Sequence, residues 1–290
     1  MQYDIYGKKR YRLNLHTHTT LSDGAKKPDE AIAIYRARGY DAIALTDHWI
    51  YGEEYSDDGM LILSGAEYNI FNKSSAEGLF HIVGIGMKYD PMLEKTASAQ
   101  DAINAIKAAG GLAVIAHPAW SLNTPEHILA LKSADATEIY NTVSGVHMSR
   151  RADSSIIVDM LGAKGRFYPL IAADDTHYYD GDECFAWIMV EAEELTSDSL
   201  IDAIRKGRFY ATQGPEVHAC KDGDDIVVRC SKAVEIVFFS DNVWARRVFT
   251  GDHLTEARYT PNANDSFIRV EITDKNGKRA WTNCIEVKKQ

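Results

Sequence analysis

The stretch Arg12-Leu13-Asn14-Leu15-His16-Thr17-His18-Thr19-Thr20-Leu21-Ser22-Asp23-Gly24 constrains the fold most. A short apolar strand ends in His-x-His and passes into a loop that carries Asp23. Side chains two apart on a strand share a face, so His16 and His18 can grip one ion together. Imidazole and carboxylate are both good ligands for borderline divalent cations. Alone, the stretch also reads as two surface histidines beside a loop aspartate, and the rest of the chain narrows that choice. Asp47-His48 follows the apolar run 42–45, Glu67 follows 61–66, and His81 opens 81–86. His117 follows 112–116, and Asp174-Asp175-Thr176-His177 follows 168–173. Six of the ten histidines fall in this set, a coincidence that strand-end packing does not explain.

Between these strands the pattern predicts helices. Lys27-Pro28-Asp29-Glu30 opens one, with proline and acid at the positive end of the helix dipole and Gly39 as its stop. Others are expected at 98–109, 125–131, 154–163 and 198–206, with strands at 137–141 and 185–190. Strand–helix–strand order is the signature of a parallel sheet. Strands 61–71 and 79–87 are exceptions: the link at 72–78 is too short for a helical crossover, so an antiparallel excursion is expected there. That explains why His81 begins its run where the other candidates end theirs. Residues 51–59 read as a solvated acidic loop. About seven strand–helix units predict an α/β fold, a distorted TIM-like (β/α)7 barrel over residues 1–214, with its chemistry at the strands' C-terminal ends. Beyond Gly214-Pro215 the texture changes to short strands at 226–228, 234–239, 267–272 and 284–287, separated by turn signals. These predict a small all-β sandwich over 215–290.

The nine residues His16, His18, Asp23, His48, Glu67, His81, His117, Asp175 and His177 resemble, in order and strand context, the ligand series of the polymerase and histidinol phosphatase (PHP) family of metal-dependent phosphoesterases. The resemblance spans roughly the first three quarters of the chain. The family's usual Gly-Ser-Asp-x-His is replaced by Ala173-Asp174-Asp175-Thr176-His177. Asp175 keeps the Asp-x-His spacing and Asp174 is the weaker candidate. The resemblance implies a trinuclear site holding two or three divalent ions of zinc, manganese or iron. His16, His18, Glu67 and Asp175 would form one site, a bridging Glu67 with His81 and His117 a second, and Asp23, His48 and His177 a third. A metal-bound water would be the nucleophile, with no protein nucleophile. Ser22, Thr17 and Thr19 lack a nucleophile context and read as loop hydrogen-bonders, and Gly84-x-Gly86 is too short for a phosphate loop.

The expected function is hydrolysis of small phosphate esters of the nucleotide or sugar phosphate class. Phosphodiester or carbamate and carboxyl-ester hydrolysis on the same cluster is the alternative; segments 137–141 and 207–215 look most like a branch with carbamate-type hydrolases. A noncatalytic metal-containing binding protein is the third reading, disfavoured by the complete ligand set. Several residues stay open between two roles. Arg208 could reach substrate or tie the two domains together. Asn141 could line the site or cap a segment, and Trp120 could stack on a ring or be buried. Asp47 could orient a ligand histidine or cap a turn. The acidic run 180–183 reads as a solvated loop, and His127, His147, His218 and His253 match no ligand place.

Bulk properties fit this picture. The 290 residues are 45% hydrophobic and 26% charged with a net charge of −10, which argues against tight binding of a nucleic-acid duplex but not against a small anionic substrate beside cations. No apolar run approaches the roughly 18 residues of a membrane span, and no signal-peptide core opens the chain, so the expected location is cytoplasmic. The four cysteines are scattered and read as core or half-buried thiols.

Overall fold

The computed structural model describes residues 1–71 and 78–287, so the short link expected at 72–78 lies almost wholly outside the described residues. In chain order the first strands are β1 (Gln2–Tyr3), β2 (Lys9–Asn14), β3 (Ala42–Ala44), β4 (Tyr55–Asp57), β5 (Met60–Leu63), β6 (Gly65–Phe71) and β7 (Leu79–Ile85). They are followed by β8 (Leu112–Ile115), β9 (Ala136–Asn141), β10 (Leu170–Ala173), β11 (Trp187–Glu191) and β12 (Phe209–Thr212). The last are β13 (Val217–Asp222), β14 (Asp225–Phe239), β15 (Val248–Tyr259), β16 (Phe267–Thr273), β17 (Arg279–Trp281) and β18 (Ile285–Glu286). The helices are α1 (Pro28–Ala37), α2 (Ala99–Ala108), α3 (Pro118–Ser121), α4 (Pro125–Ala130), α5 (Ser155–Ala163) and α6 (Ser197–Arg205).

Local chemistry sets the helix starts. Glu30 accepts from the Lys27 N–H at 2.9 Å and Pro28 fills the first turn of α1, satisfying a donor that a helix start leaves orphaned. Ser98 and Asp101 exchange the same reciprocal bonds at the start of α2. The buried edge of α2, with Ala102, Ile103 and Ile106, packs on the second of two sheets.

In the first sheet β2, β3 and β5 run parallel. The second has the order β10-β9-β8-β7-β6. There β8, β9 and β10 are parallel while β7 runs against both β6 and β8, which is the antiparallel excursion read from the sequence. The fold is mixed α/β. Among the described residues, strand pairing gives two sheets rather than one closed ladder. Besides the expected antiparallel pair β6–β7, the hairpin β4–β5 and the antiparallel β11 beside β2 depart from plain strand–helix alternation. The sheets meet through isolated bridges, Thr17 with Thr176 and His48 with Glu67. Hydrogen bonds from Asp175 N to His16 O and from His18 N to Thr176 O, both 2.9 Å, close that seam.

The β-rich C-terminal portion fits a second domain, yet it is not a sandwich standing apart. β17 pairs with β12, Ala211 opposite Trp281, and this extends the first sheet through β16 and β14 to β13. Met189 and Tyr210 share a buried cluster with Ile236, Phe238, Val270 and Ile272. The expected strands 226–228 and 234–239 are one 15-residue strand, β14, whose pairing with β15 shifts register between Arg229 and Glu235. Helix α5 is tied to β16 by a buried Arg269, whose Nε and Nη2 donate to Asp159 at 2.6 and 2.7 Å. None of the described helices is long and apolar enough to cross a membrane.

Removing Asp159 leaves the Arg269 charge buried without its bidentate partner. Asp159→Ala is expected to lower unfolding stability by about 3–5 kcal/mol in urea titration, with Asp159→Leu/Arg269→Met recovering most of it. A loss below about 1 kcal/mol would show that this tie is dispensable.

Candidate metal centre

β2 ends at Asn14 and delivers His16 and His18 to the seam between the sheets, where both rings are fully buried. Asn14 fixes this exit. Its amide donates to His16 O and Thr17 Oγ1 at 3.0 and 2.6 Å, and its carbonyl oxygen accepts from Asp174 N at 3.0 Å. Glu67 and Asp175 sit at the centre. Glu67 Oε2 lies 3.2 Å from His16 Nε2, 3.0 Å from His18 Nε2 and 3.2 Å from His48 Nδ1. Its Oε1 lies 2.7 Å from His81 Nδ1 and 3.5 Å from His117 Nε2. Asp175 Oδ1 lies 3.1 Å from both His16 Nε2 and His18 Nε2. At the rim Asp23, 55% exposed, is 3.5 Å from His18 and His177 and 3.7 Å from His48.

All nine residues therefore lie together. Three overlapping sets have donor atoms within 4.8 Å of one another: His16, His18, Glu67 and Asp175; His18, Asp23, His48 and His177; and His48, Glu67 and His81. His117 approaches through Glu67 and, at 3.7 Å, through Asp175 Oδ2. Four buried atoms here, His16 Nε2, His18 Nε2, His48 Nδ1 and Asp175 Oδ1, have no hydrogen-bond partner. Each such orphan costs about 1–3 kcal/mol. Three of them, on His16, His18 and Asp175, converge with Glu67 in one donor set and His48 belongs to the adjoining sets, an arrangement of nitrogen and carboxylate donors that fits divalent cations.

The charges agree. Burial pushes His18 down, but Asp175 and Glu67 outweigh it and hold the ring up at about 9. His16 is held well above the imidazole range in the same way, with Glu138 contributing. His48, nearer the opening, is pushed down to about 4, mainly by burial. Burial raises Glu67 and Asp175, yet the imidazoles, His16 foremost, override it and keep both well below the carboxylate range.

A second set of residues holds the first in place. Glu138 Oε1 lies 2.8 Å from His16 Nδ1, while Oε2 accepts from His117 N and Asn141 Nδ2, both at 2.8 Å. Sequence reading passed over Glu138; its signal was a carboxylate in the middle of a strand whose every residue is buried. Asn141 also donates to Asp175 Oδ2 at 3.1 Å, and its carbonyl oxygen accepts from Ser144. It is fully buried, with its amide held on Glu138 and Asp175. Asp47 spends both oxygens on Thr19 and Ser22, tying down the loop that carries Asp23. It reaches His18 only through Ser22 Oγ, 3.4 Å from His18 Nδ1. Gly24 lets that loop fold back: a Cβ there would stand 2.4 Å from the His18 carbonyl. His117 and Asp175 take φ of +28° and +55°, left-handed conformations of the kind stored at functional sites.

The solvated reading of Asp182 and the substrate alternative for Arg208 are corrected, and Asp174, the weaker of two candidates, lies outside the cluster. Asp174 turns away from the cluster and accepts from Tyr35, Thr142, Phe185 and Ala186. Asp182 is not solvated. Its buried carboxylate accepts the N–H groups of His177, Tyr178 and Tyr179 at 2.7–2.8 Å and shapes the His177 loop. Arg208 lies at the wrong end. β11 runs antiparallel to β2, and β12 antiparallel to β11, with Val190 opposite both Tyr11 and Phe209. Arg208 therefore sits by the start of β2, paired with Asp202 at 3.0 Å. Trp120 does reach the site, edge-on to His117 and His81 at 4.9 and 5.5 Å between ring centres. His218 falls near Asp4 and Glu216, but Arg10 already occupies that acidic group, 2.8 Å from Asp4.

The fold and this cluster define a hydrolase organised around a multi-ligand site for divalent metal. The PHP domain model matches residues 14–191, and the chain belongs to that family of metal-dependent phosphoesterases. A two-domain protein of Bacteroides vulgatus, described as containing a predicted PHP-like metal-dependent phosphoesterase, is similar at 17% identity, over 98% of each chain with a TM-score of 0.56. An amidohydrolase of Chromobacterium violaceum with bound sulfate and no metal is 20% identical over 59% of this chain and 89% of its own, TM-score 0.44. A putative metal-dependent phosphoesterase of Bifidobacterium adolescentis is 14% identical over 57% and 87%, TM-score 0.41. No curated protein matches the chain.

Two outcomes follow from the geometry. Asp175→Asn should weaken manganese binding, measured by calorimetry, by more than the roughly 10–100-fold typical of outer-shell changes. Asp174→Asn should stay within about threefold of the parent, its cost appearing in stability; equal losses would contradict the assignment. The second concerns pH. His18, raised from 6.5 to about 9 in the folded metal-free protein, contributes stability that is complete below pH 6.5 and lost as pH rises through 9. His48, lowered to about 4, adds the opposite slope between 4 and 6.5. Thermal unfolding of the chelated protein should thus peak near pH 6.5 and fall toward pH 9; a midpoint still rising to pH 9 would contradict it.

Proposed function

We propose that the chain hydrolyses small phosphate monoesters. In this reading His16, His18, Glu67 and Asp175 hold one divalent cation, Glu67, His81 and His117 a second, and Asp23, His48 and His177 a third. The convergence of unpartnered imidazole and carboxylate atoms at His16, His18, His48 and Asp175, in a chain of this family, carries the reading. Zinc, manganese or iron bound there supplies Lewis acidity toward phosphoryl oxygens and an acidified water.

The chain's own residues do the rest. Glu67 presents one oxygen to the His16, His18 and His48 side and the other to His81 and His117, so one carboxylate would be shared by ions held on the two sides and offset their repulsion. Glu138 occupies His16 Nδ1, Ser121 Oγ lies 3.1 Å from His117 Nδ1, and the Asp175 carbonyl lies 2.7 Å from His177 Nδ1. Each contact leaves the opposite ring nitrogen facing the cluster carboxylates, the usual way outer partners orient ligand imidazoles. The hydroxyl of Ser144, which lines the cavity, donates to Asn141 and is not presented as a nucleophile. Residues 1–214 form the hydrolase portion in this reading and 215–290 an accessory β portion.

The test is phosphate release from a panel of monoesters by chelated protein and by protein reloaded with manganese, zinc or iron(II). Turnover should require metal, and His18→Ala should reduce it at least about 100-fold with far-UV circular dichroism unchanged. Full activity in that variant or without metal, or clear preference for a phosphodiester or carbamate, would refute the reading.

A further inference from the structure

One wall of the cavity owes nothing to the cluster. Trp120, Val143, Ser144 and Met148 form it, and the remaining lining residues all belong to the nine. Trp120 is half-buried over His117 and His81 because α3 begins at Pro118, directly after His117. Met148 is brought in by a π-turn over Ser144–Met148 and is 44% exposed, while Val143 is buried beside it. The Ser144 hydroxyl is spent on Asn141 at 2.7 Å. Among the described residues no lysine or arginine lines the cavity.

We propose that the alcohol half of the substrate is apolar, an aromatic or branched aliphatic group lying on Trp120 and Met148 while the phosphoryl group faces the cluster. This rests on the monoesterase reading above and narrows it. Water's oxygen bonds to phosphorus, the bond to the alcohol oxygen breaks with its electron pair, and the alcohol leaves carrying a proton from that water. Space favours this class. The cavity of ≈120 Å³ is far below the roughly 300–1,000 Å³ that encloses a drug-sized ligand. It takes a phosphoryl group and the first atoms of an alcohol, so the rest of the alcohol meets the rim, where Trp120 and the exposed Met148 stand. Polarity favours it too. Sugar hydroxyls laid on Trp120, Val143 and Met148 lose water and meet a single polar group there, the Trp120 indole N–H. An aromatic or aliphatic group loses nothing there, and a methionine wall adapts to its shape. Nor does the wall offer a cation to a second anionic group, as a diphosphate or sugar bisphosphate would need.

The test compares the metal-loaded protein on 2-phenylethyl phosphate, glycerol 3-phosphate and adenosine 5′-monophosphate, all esters of primary alcohols with similar intrinsic reactivity. An apolar surface discriminates against added hydroxyls by about 10–100-fold in kcat/KM, and that preference for 2-phenylethyl phosphate is the expected result. Trp120→Ala should shrink the ratio to within about threefold, and Trp120→Phe should keep most of it. Met148→Gln, at an exposed side chain, should lower the ratio without unfolding. Calorimetry should show 2-phenylethylphosphonate binding more tightly than methylphosphonate by a similar factor. Equal or faster turnover of glycerol 3-phosphate or the nucleotide, or a ratio unchanged in Trp120→Ala of normal metal content, would overturn the proposal. No turnover of any ester with metal bound would instead overturn the monoesterase reading, and the phosphonate preference would still report on the apolar wall.

Discussion

Glu67 and Asp175 are negative charges taken out of water at the seam of two sheets, and the surrounding architecture compensates for them. Each ion buried in this way costs several kcal/mol unless opposite charge and hydrogen bonds surround it. The compensation comes from far along the chain: His16 and His18 beyond β2, His48 beyond β3, His81 within β7, His117 beyond β8 and His177 beyond β10. Those strands must converge at one end, which is why the two sheets meet there through backbone bonds rather than through a continuous ladder. The same convergence leaves several of the nitrogen and oxygen atoms without partners of their own, a cost that bound cations remove.

The identity of the cluster was legible because it rests on residue type and strand context, which sequence carries directly. Packing alone seldom puts a histidine at the end of one apolar run after another. The antiparallel course of β6 and β7 followed from a link too short to cross over. What escaped reading depends on tertiary placement. Glu138 and Asp182 look like ordinary acidic residues until a buried imidazole lies against the one and three loop N–H groups converge on the other. The two roles open for Arg208 could not be separated because the direction of β11 is not written in its composition. Edge strand β15 is exposed along most of its length and carries almost no apolar alternation, so no pattern announced it.

The C-terminal portion shows the same limit from another side. Its short strands were recognised, but not their attachment. β17 adds to β12, and Arg269 and Arg279 reach back to Asp159 and Asp153. A boundary drawn at Gly214 thus separates textures of sequence more cleanly than it separates contacts. The joint continues the sheet from β17 through β12 and β11 to β2, the strand that carries His16 and His18 into the site.

Anomalous X-ray diffraction from crystals grown with manganese tests the central claim most directly. The account predicts strong peaks inside the pocket, one of them bounded by His16, His18, Glu67 and Asp175. Crystals saturated with manganese that show density only on the exterior, with these side chains hydrogen-bonded to water alone, would contradict it.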